Sequence, residues 1–372
     1  MTAAERLRRI ALLACAIALV PALISYLAMV ASPSNTSIDI RSIEWLRSNG
    51  GAGFVSEIER IYYSLTAPSK GGPKLKALPH VGVAVSAPKT KAHVAHHPYQ
   101  PPPITPLTSP ALPGEGVWHA TRTNASPYPP LLVTTFRSDP SEYPRLVAGV
   151  AWIDPHRTRI KLYPGREQPS VPMPNRGPME VLPSERGKLL ATFNAGFKYE
   201  DSHGGFALNG HAYAPMVRGQ GTIIERAGGE VNVEEWTGGP SVPSNVVFAA
   251  QNLPLIVMNG RPNPRLNDTA EWGATLGNAI QVWRSGVGVT KQGDLVYAQA
   301  NDQTVGSLAA ILIHAGAVRA MELDINSYWV TFNTYGGPGG AHPTKLLDET
   351  ERPATRYLSE PDDRDFFAVF ER

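Results

Sequence analysis

The chain has a single cysteine, Cys15, among 372 residues. That scarcity excludes a disulfide framework and a thiolate metal cluster, and because Cys15 sits inside an N-terminal apolar run it also excludes a cysteine nucleophile in the globular part. Charge of one sign is equally lacking: the net charge is +2, with acids and bases interspersed. Such a balance carries no field of the kind that draws nucleic acid, which is excluded as a partner. The sequence contains no Gly-x-x-x-x-Gly-Lys-Ser/Thr loop, no His-Glu-x-x-His and no Gly-x-Ser-x-Gly, which argues against nucleotide, zinc-protease and α/β-hydrolase chemistry. No fixed-period repeat occurs, so propellers and solenoids are set aside. The first third is also poor in periodic apolar sequence, which puts the core downstream of about residue 115.

What the N-terminal third does have is an address. Arg6, Arg8 and Arg9 precede an uncharged stretch, Ile10 to Ala31, that as a helix spans roughly 30 Å, the thickness of a bilayer's hydrocarbon. Little positive charge follows it closely, so the positive-inside rule puts residues 1–9 in the cytoplasm, 10–31 across the membrane and the rest outside. A cleaved signal peptide is the rival reading, since Ala28 and Ala31 are small residues near a cut site, but signal cores run only about 7–15 residues. Within 32–66, Phe54, Val55, Ile58, Ile61, Tyr62 and Leu65 form one apolar helical face, as in a juxtamembrane helix lying on the bilayer or packed on the following domain. Residues 67–115, rich in Pro, Lys, Ser and His, read as an extended spacer. Its His93, His96 and His97 lack the rigid backbone and supporting hydrogen bonds that fix a metal geometry, and are read as solvated linker.

From residue 116 to 372 the pattern turns to short β-branched runs bounded by Gly, Pro and Asn. Examples are Leu131 to Phe136, Leu146 to Ile153, Leu189 to Phe193, Gly221 to Glu225, Val246 to Ala249, Leu255 to Met258, Val287 to Val289 and Leu295 to Ala298. One strong helix, Ser307 to Ala315, leads into a strand from Ala317 to Asp324. Many strands with few helices predict an α+β domain around a mixed central sheet.

Three segments carry the chemistry. Phe193-Asn194-Ala195-Gly196-Phe197 reads as a strand ending in a small-residue turn that brings backbone amides close to a ligand. Arg284 opens a strand and Asp324 closes another; a guanidinium suits a pair of phosphate oxygens, and a carboxylate on a rigid strand end suits general acid or base work. A structural ion pair of Arg284 with Glu322 or Asp324 is the competing reading. Asn259-Gly260 reads as a hairpin turn. His203 is a candidate proton donor, Arg218 a candidate cleft residue, and Glu200, Asp201 and Asp302 are candidate second carboxylates, with Thr304 and Ser307 capping the helix. Gly336 to Gly340 reads as a loop near the site.

The order Asn-Ala-Gly-Phe, Leu-Ile-Val-Met-Asn-Gly, Arg-Ser-Gly-Val-Gly-Val, a helix and Glu-Leu-Asp resembles the phosphodiester glycosidase family over roughly Leu189 to Tyr335. The family's glycine turn falls on Asn194 to Phe197 and its strand-opening arginine on Arg284. Its Asn-Leu-Asp-Gly-Gly-Gly-Ser signature falls on Glu322 to Ser327, where three glycines are missing and Ile325, Asn326 and Ser327 present side chains instead. The resemblance implies a membrane-anchored, extracytoplasmic hydrolase acting on a glycosidic or sugar-phosphodiester linkage in an envelope or extracellular glycoconjugate. Asp324 would be acid, base or nucleophile, Arg284 would steady the phosphate, and Asn194, Gly196, Asn326 and Ser327 would hold the sugar. A noncatalytic module that binds glycans or a partner is the alternative, compatible with loss of the glycines. No cofactor is assigned: Asp and Asn donors suit a divalent cation such as calcium or magnesium, but no complete loop signature occurs.

Overall fold

A computed structural model describes residues 2–84, 98–122, 126–139, 141–267, 272 and 281–372; His93, His96 and His97 lie outside them. The chain divides into two compact units, Met1–Tyr62 and Tyr63–Arg372.

The first unit is helical. Helix α1, Ala3–Ala31, is capped by Thr2 and Glu5 in a reciprocal box and contains Pro21. It starts upstream of Ile10, so residues 3–9 form its first turns rather than a separate tail. It is long and apolar enough to cross a membrane, as a signal sequence also is. Helices α2, Ile38–Leu46, and α3, Ala52–Thr66, are joined through Arg47–Gly51, where Gly50 takes a left-handed conformation.

The second unit is α+β, built from three sheets rather than one. A nine-stranded sheet has at its centre the strands Tyr143–Ile153, Leu295–Gln303, Val282–Thr290, Ala317–Ile325 and Leu255–Met258, in that order. A five-stranded sheet carries Phe332–Tyr335, Leu189–Asn194, Phe366–Glu371 and Thr158–Tyr163, and another carries Glu230–Glu235, Gly221–Arg226 and Val246–Gln251. Every pairing among the described residues is antiparallel. The expected mixed sheet is therefore corrected. Short turns join many neighbours directly, as at Asn259-Gly260, whose left-handed residues close the Leu255–Pro262 hairpin. The helix Val305–His314 packs on a face and crosses over Val282–Thr290, so that Leu295–Gln303 and Ala317–Ile325 run in the same sense on either side of that strand without pairing directly.

That helix and the two smaller sheets bury opposite faces of the large sheet. Leu308, Ile311 and Leu312 join Trp152, Ala298 and Ala320 on one side. On the other, Val287, Met321 and Leu323 meet Phe193, Phe332, Phe367 and Phe248. The region expected as a free spacer also contributes. Gly71 donates to the Glu142 carbonyl at 2.8 Å, Val81 enters the core, Ile104 is buried, and the Pro102 carbonyl accepts from Trp118 Nε1 at 2.8 Å. Residues 67–84 and 98–115 are thus pinned to the domain at these points while most of their described residues stay exposed, because isolated apolar side chains and carbonyls find partners along the sheet edge.

Phe367 stacks on Phe193 at 5.0 Å and touches Phe248 at 5.7 Å, tying the two smaller sheets together. Phe367→Ala is expected to lower stability by about 3–5 kcal/mol, read from the midpoint of chemical denaturation.

Candidate functional site

Strand Val282–Thr290 runs with regular alternation while both its neighbours bulge. Opposite it, Val282 pairs with Gln303 but Arg284 with Ala300, and Arg284 pairs with Ile325 but Gly286 with Glu322. The extra residues fall at Asn301-Asp302 and at Leu323-Asp324, and a bulge re-aims side chains at a strand end. Arg284 and Gly286 share the face toward the helix, since a Cβ on Gly286 would meet Leu312 and Leu308. Ser285 points the other way, between the sheets.

Asn194, Ser285 and Asp324 are joined there by one buried chain of hydrogen bonds. Asn194 Nδ2 donates to Ser285 Oγ at 3.0 Å and to the Ala195 carbonyl at 2.9 Å. Its Oδ1 accepts from Tyr297 OH at 2.9 Å and from the Thr331 amide at 3.0 Å. Ser285 Oγ donates to the Asp324 carbonyl at 2.7 Å, and the Asp324 amide to the Ala195 carbonyl at 3.0 Å. Asn194 is therefore a fully engaged internal post, with no group turned to solvent for a sugar.

The Asp324 carboxylate reaches the opposite way, to Arg364 Nη2 at 2.5 Å, while its Oδ1 accepts the Ile325 amide at 2.9 Å. The same Arg364 nitrogen donates to the Gly196 carbonyl at 3.2 Å. A Cβ on Gly196 would stand 3.0 Å from the Asn252 side chain, so this turn needs its small residue. Arg364 lies over the Trp329 ring at 4.6 Å, and Arg356 lies over the same ring at 5.5 Å, held by Asp362 at 2.8 and 3.0 Å. Burial raises the Asp324 carboxyl to about 7 despite Arg364, and raises neighbouring Asp365 to about 6. Asp365, with Gly196, Phe197, Tyr199, Ser202 and Gln168, lines a narrow crevice. Gln168 fixes its wall by accepting from the Tyr199 amide at 2.9 Å and donating to Glu200 at 3.1 Å.

The other expected residues are dispersed. Arg284 is closed inside: its side chain and that of Glu322 are both 0% exposed and paired at 2.5 Å, and Nε donates to the Gln303 carbonyl at 2.9 Å. Asp302 sits on the bulge beside that pair, half-buried and left-handed, its carboxyl raised by burial. His203 and Asp201 are exposed at the end of the one-turn helix Tyr199–Ser202, and Arg218 is exposed in a separate loop. Asn326, left-handed, accepts the Tyr328 amide at 2.9 Å, and Ser327 donates to Glu351. The Asn326 side chain closes a local turn, and that of Ser327 ties the turn to a distant loop. Gly336 to Pro338 line a different cavity, with Arg122 and Glu371. Among the described residues no group of three or more His, Cys, Asp or Glu side chains is placed to hold a metal.

Sequence reasoning missed Arg364 and Asp365. Their signal was present: Asp362-Asp363-Arg364-Asp365 stands directly before the apolar run Phe366 to Phe370, the same pattern of charge at a strand end that singled out Arg284 and Asp324.

Residues 187–324 match the model of the phosphodiester glycosidase family, a span that holds Asn194 and Arg284 and ends on Asp324. The chain thus contains a phosphodiester-glycosidase-like domain. No curated protein matches the sequence. Among solved structures, the catalytic domain of zebrafish N-acetylglucosamine-1-phosphodiester alpha-N-acetylglucosaminidase, auto-inhibited by its pro-peptide, is similar at 17% identity over 68% of this chain and 86% of that chain, with a TM-score of 0.42. A hypothetical protein from Synechocystis is similar at 14% identity over 61% and 59%, with a TM-score of 0.36.

Removing Arg284 leaves a buried carboxylate without its cation. Arg284→Ala is expected to cost about 3–5 kcal/mol of stability, and the double change Arg284→Met with Glu322→Leu to recover most of it, measured by chemical denaturation.

Proposed function

We propose that this chain is a membrane-anchored, extracytoplasmic hydrolase of sugar phosphodiesters, with Asp324 and Asp365 as its carboxyl pair. The observation that carries the reading is the position of Arg364, which holds the Asp324 carboxylate and the Gly196 carbonyl beside a crevice that Asp365 lines. Hydrolysis of a glycosidic bond calls for one carboxyl that gives a proton and one that takes it. Asp324, the deeper of the two, keeps a proton close to neutrality and suits the acid; Asp365, open to the crevice, suits the base that withdraws a proton from water. Water's oxygen then bonds to the anomeric carbon as the bond to the phosphate oxygen breaks. Arg364 takes the phosphate-steadying role read for Arg284 in the sequence, since its planar guanidinium binds the carbonyl of Gly196, a residue of the crevice wall, rather than lying inside the large sheet. The crevice itself has room for about 20 Å³, a water and not a sugar ring, so Phe197 and Tyr199 would meet the ring at its mouth. The N-terminal helix supports the membrane location, and its upstream arginines support a cytoplasmic N-terminus. A glycan-binding module without turnover is the second reading, favoured by Ile325, Asn326 and Ser327 where the family has glycines.

Turnover of a sugar phosphodiester by the purified protein is the test. Asp324→Asn and Asp365→Asn should each lower kcat by about 10²–10⁴; saturable glycan binding with no turnover would favour the module. The pH profile should be a narrow bell, rising as Asp365 ionises near 6 and falling as Asp324 loses its proton near 7. Stability has its own sign. From about pH 4 to about pH 7 the unfolded chain has released a proton that folded Asp324 still holds, so stability falls as pH rises through that window. Asp324→Asn should flatten the slope in a denaturation series.

A further inference from the structure

The first unit carries polar and aromatic contacts where α1 would leave a membrane. Helix α2 folds back along the last turns of α1. The Tyr26 and Trp45 rings meet edge to face at 5.2 Å, Tyr26 OH and Ser42 Oγ are 2.9 Å apart, and Trp45 Nε1 donates to Ser25 Oγ at 3.0 Å. The Arg41 guanidinium donates to the carbonyls of Met29 and Ser32 and, at 2.7 Å, to Ser32 Oγ. It thereby satisfies end carbonyls of α1 and sets a cation on the negative end of its dipole. A guanidinium and this many polar groups are costly in hydrocarbon, whereas Tyr and Trp concentrate at headgroup level. Leu7 to Ile24 alone spans about 27 Å as a helix, close to the about 30 Å of hydrocarbon in a bilayer, with Arg6, Arg8 and Arg9 at its start able to snorkel.

Helix α3 then presents a stripe with no cover. Phe54, Ile58 and Ile61 recur at i, i+4 and i+7 and are 65%, 51% and 47% exposed, with Tyr62 beside them. Val55 is buried on the adjoining face, while Glu57, at the edge of the stripe, pairs with Arg60 on the polar side. Ile38 and Ile43 of α2 are open as well. Over 38–66 three arginines stand against four acids (Arg41, Arg47 and Arg60; Asp39, Glu44, Glu57 and Glu59), so apolar burial rather than attraction to anionic lipid must supply the affinity.

We propose that α2 and α3 form a platform embedded in the headgroup layer of the bilayer that α1 enters, and that the hydrocarbon ends at the Tyr26–Trp45 level rather than at Ala31. The bilayer is the occupant of the stripe because the chain delivers it there: the apolar window of α1 has no buried residue among those described, and only the short Ser32–Ser37 link separates the helix from α2. The proposal rests on α1 being kept in the membrane and is independent of the hydrolytic chemistry.

The test uses the full chain carrying Cys15→Ser, reconstituted in phosphatidylcholine vesicles, with an environment-sensitive fluorophore on single cysteines. Labels at Phe54→Cys, Ile58→Cys and Ile61→Cys should be blue-shifted and lose emission to shallow spin-labelled lipid, and those at Ser56→Cys and Arg60→Cys on the same helix should not. In α1, a deep quencher should reach Ile17→Cys and spare Val30→Cys. Aqueous spectra at 54, 58 and 61 alongside a quenched label at 17 would overturn the platform. So would shielding that grows with protein concentration and ignores lipid quenchers, which would assign the stripe to a second copy. Recovery of a chain cleaved near residue 31 would overturn it on the separate ground that α1 is a signal peptide.

Discussion

The site depends on the buried amide of Asn194. Its two donors and its acceptor bind four groups that come from the turn after its own strand, from Val282–Thr290, from Leu295–Gln303 and from the start of Phe332–Tyr335. A buried amide with all its bonds made fixes one arrangement, because any shift leaves a donor or acceptor unsatisfied at a cost of about 1–3 kcal/mol. Through Ser285 it also sets the backbone of Asp324. The large sheet and one of the smaller sheets are thereby locked at the point where the Asp324 carboxylate emerges.

Around that post the charges are sorted by depth. Arg284 and Glu322 neutralise one another under the helix, Arg356 and Asp362 do so behind Trp329, and Arg364 meets Asp324 where the interior opens. Each pair repays its desolvation only through close geometry, so the pairs favour a particular packing more than they add net stability. Trp329, with guanidinium groups over its ring from Arg356 and Arg364, separates the innermost pair from the one at the crevice.

Much of the fold was legible because its central strands are apolar on both faces and bounded by turn residues. Leu255 to Met258 and its Asn259-Gly260 turn were readable to the residue, and the Thr304 cap marked its helix. The strands that escaped notice are those with polar alternation, such as Glu230–Glu235, or those beyond the last motif, such as Phe366–Glu371. In the candidate site, Asp324 and the Asn194 turn were singled out by their place at strand ends, but side-chain direction was not legible. Two bulges beside a regular strand decide which way Arg284, Asp302 and Asp324 point, and an extra residue in a ladder leaves no mark in a pattern of period two. Arg284 therefore read first as a ligand-binding group, with an ion pair to Glu322 or Asp324 as the competing reading, and the pair with Glu322 is the one the structure has. The dense prolines of 67–115 likewise masked Val81 and Ile104, whose burial depends on a distant sheet edge.

The strand Phe366–Glu371 lies between Leu189–Asn194 and Thr158–Tyr163, pairing with both. Its partners are made long before it during synthesis, and Thr158–Tyr163, at the edge of the sheet, has no other strand to pair with. Arg364 and Asp365 come with it. A nascent chain paused anywhere short of this segment has Leu189–Asn194 as an unpaired edge, leaves Thr158–Tyr163 outside the sheet and lacks half of its charged constellation, so closure of the sheet and assembly of the crevice belong to the same late stretch of synthesis.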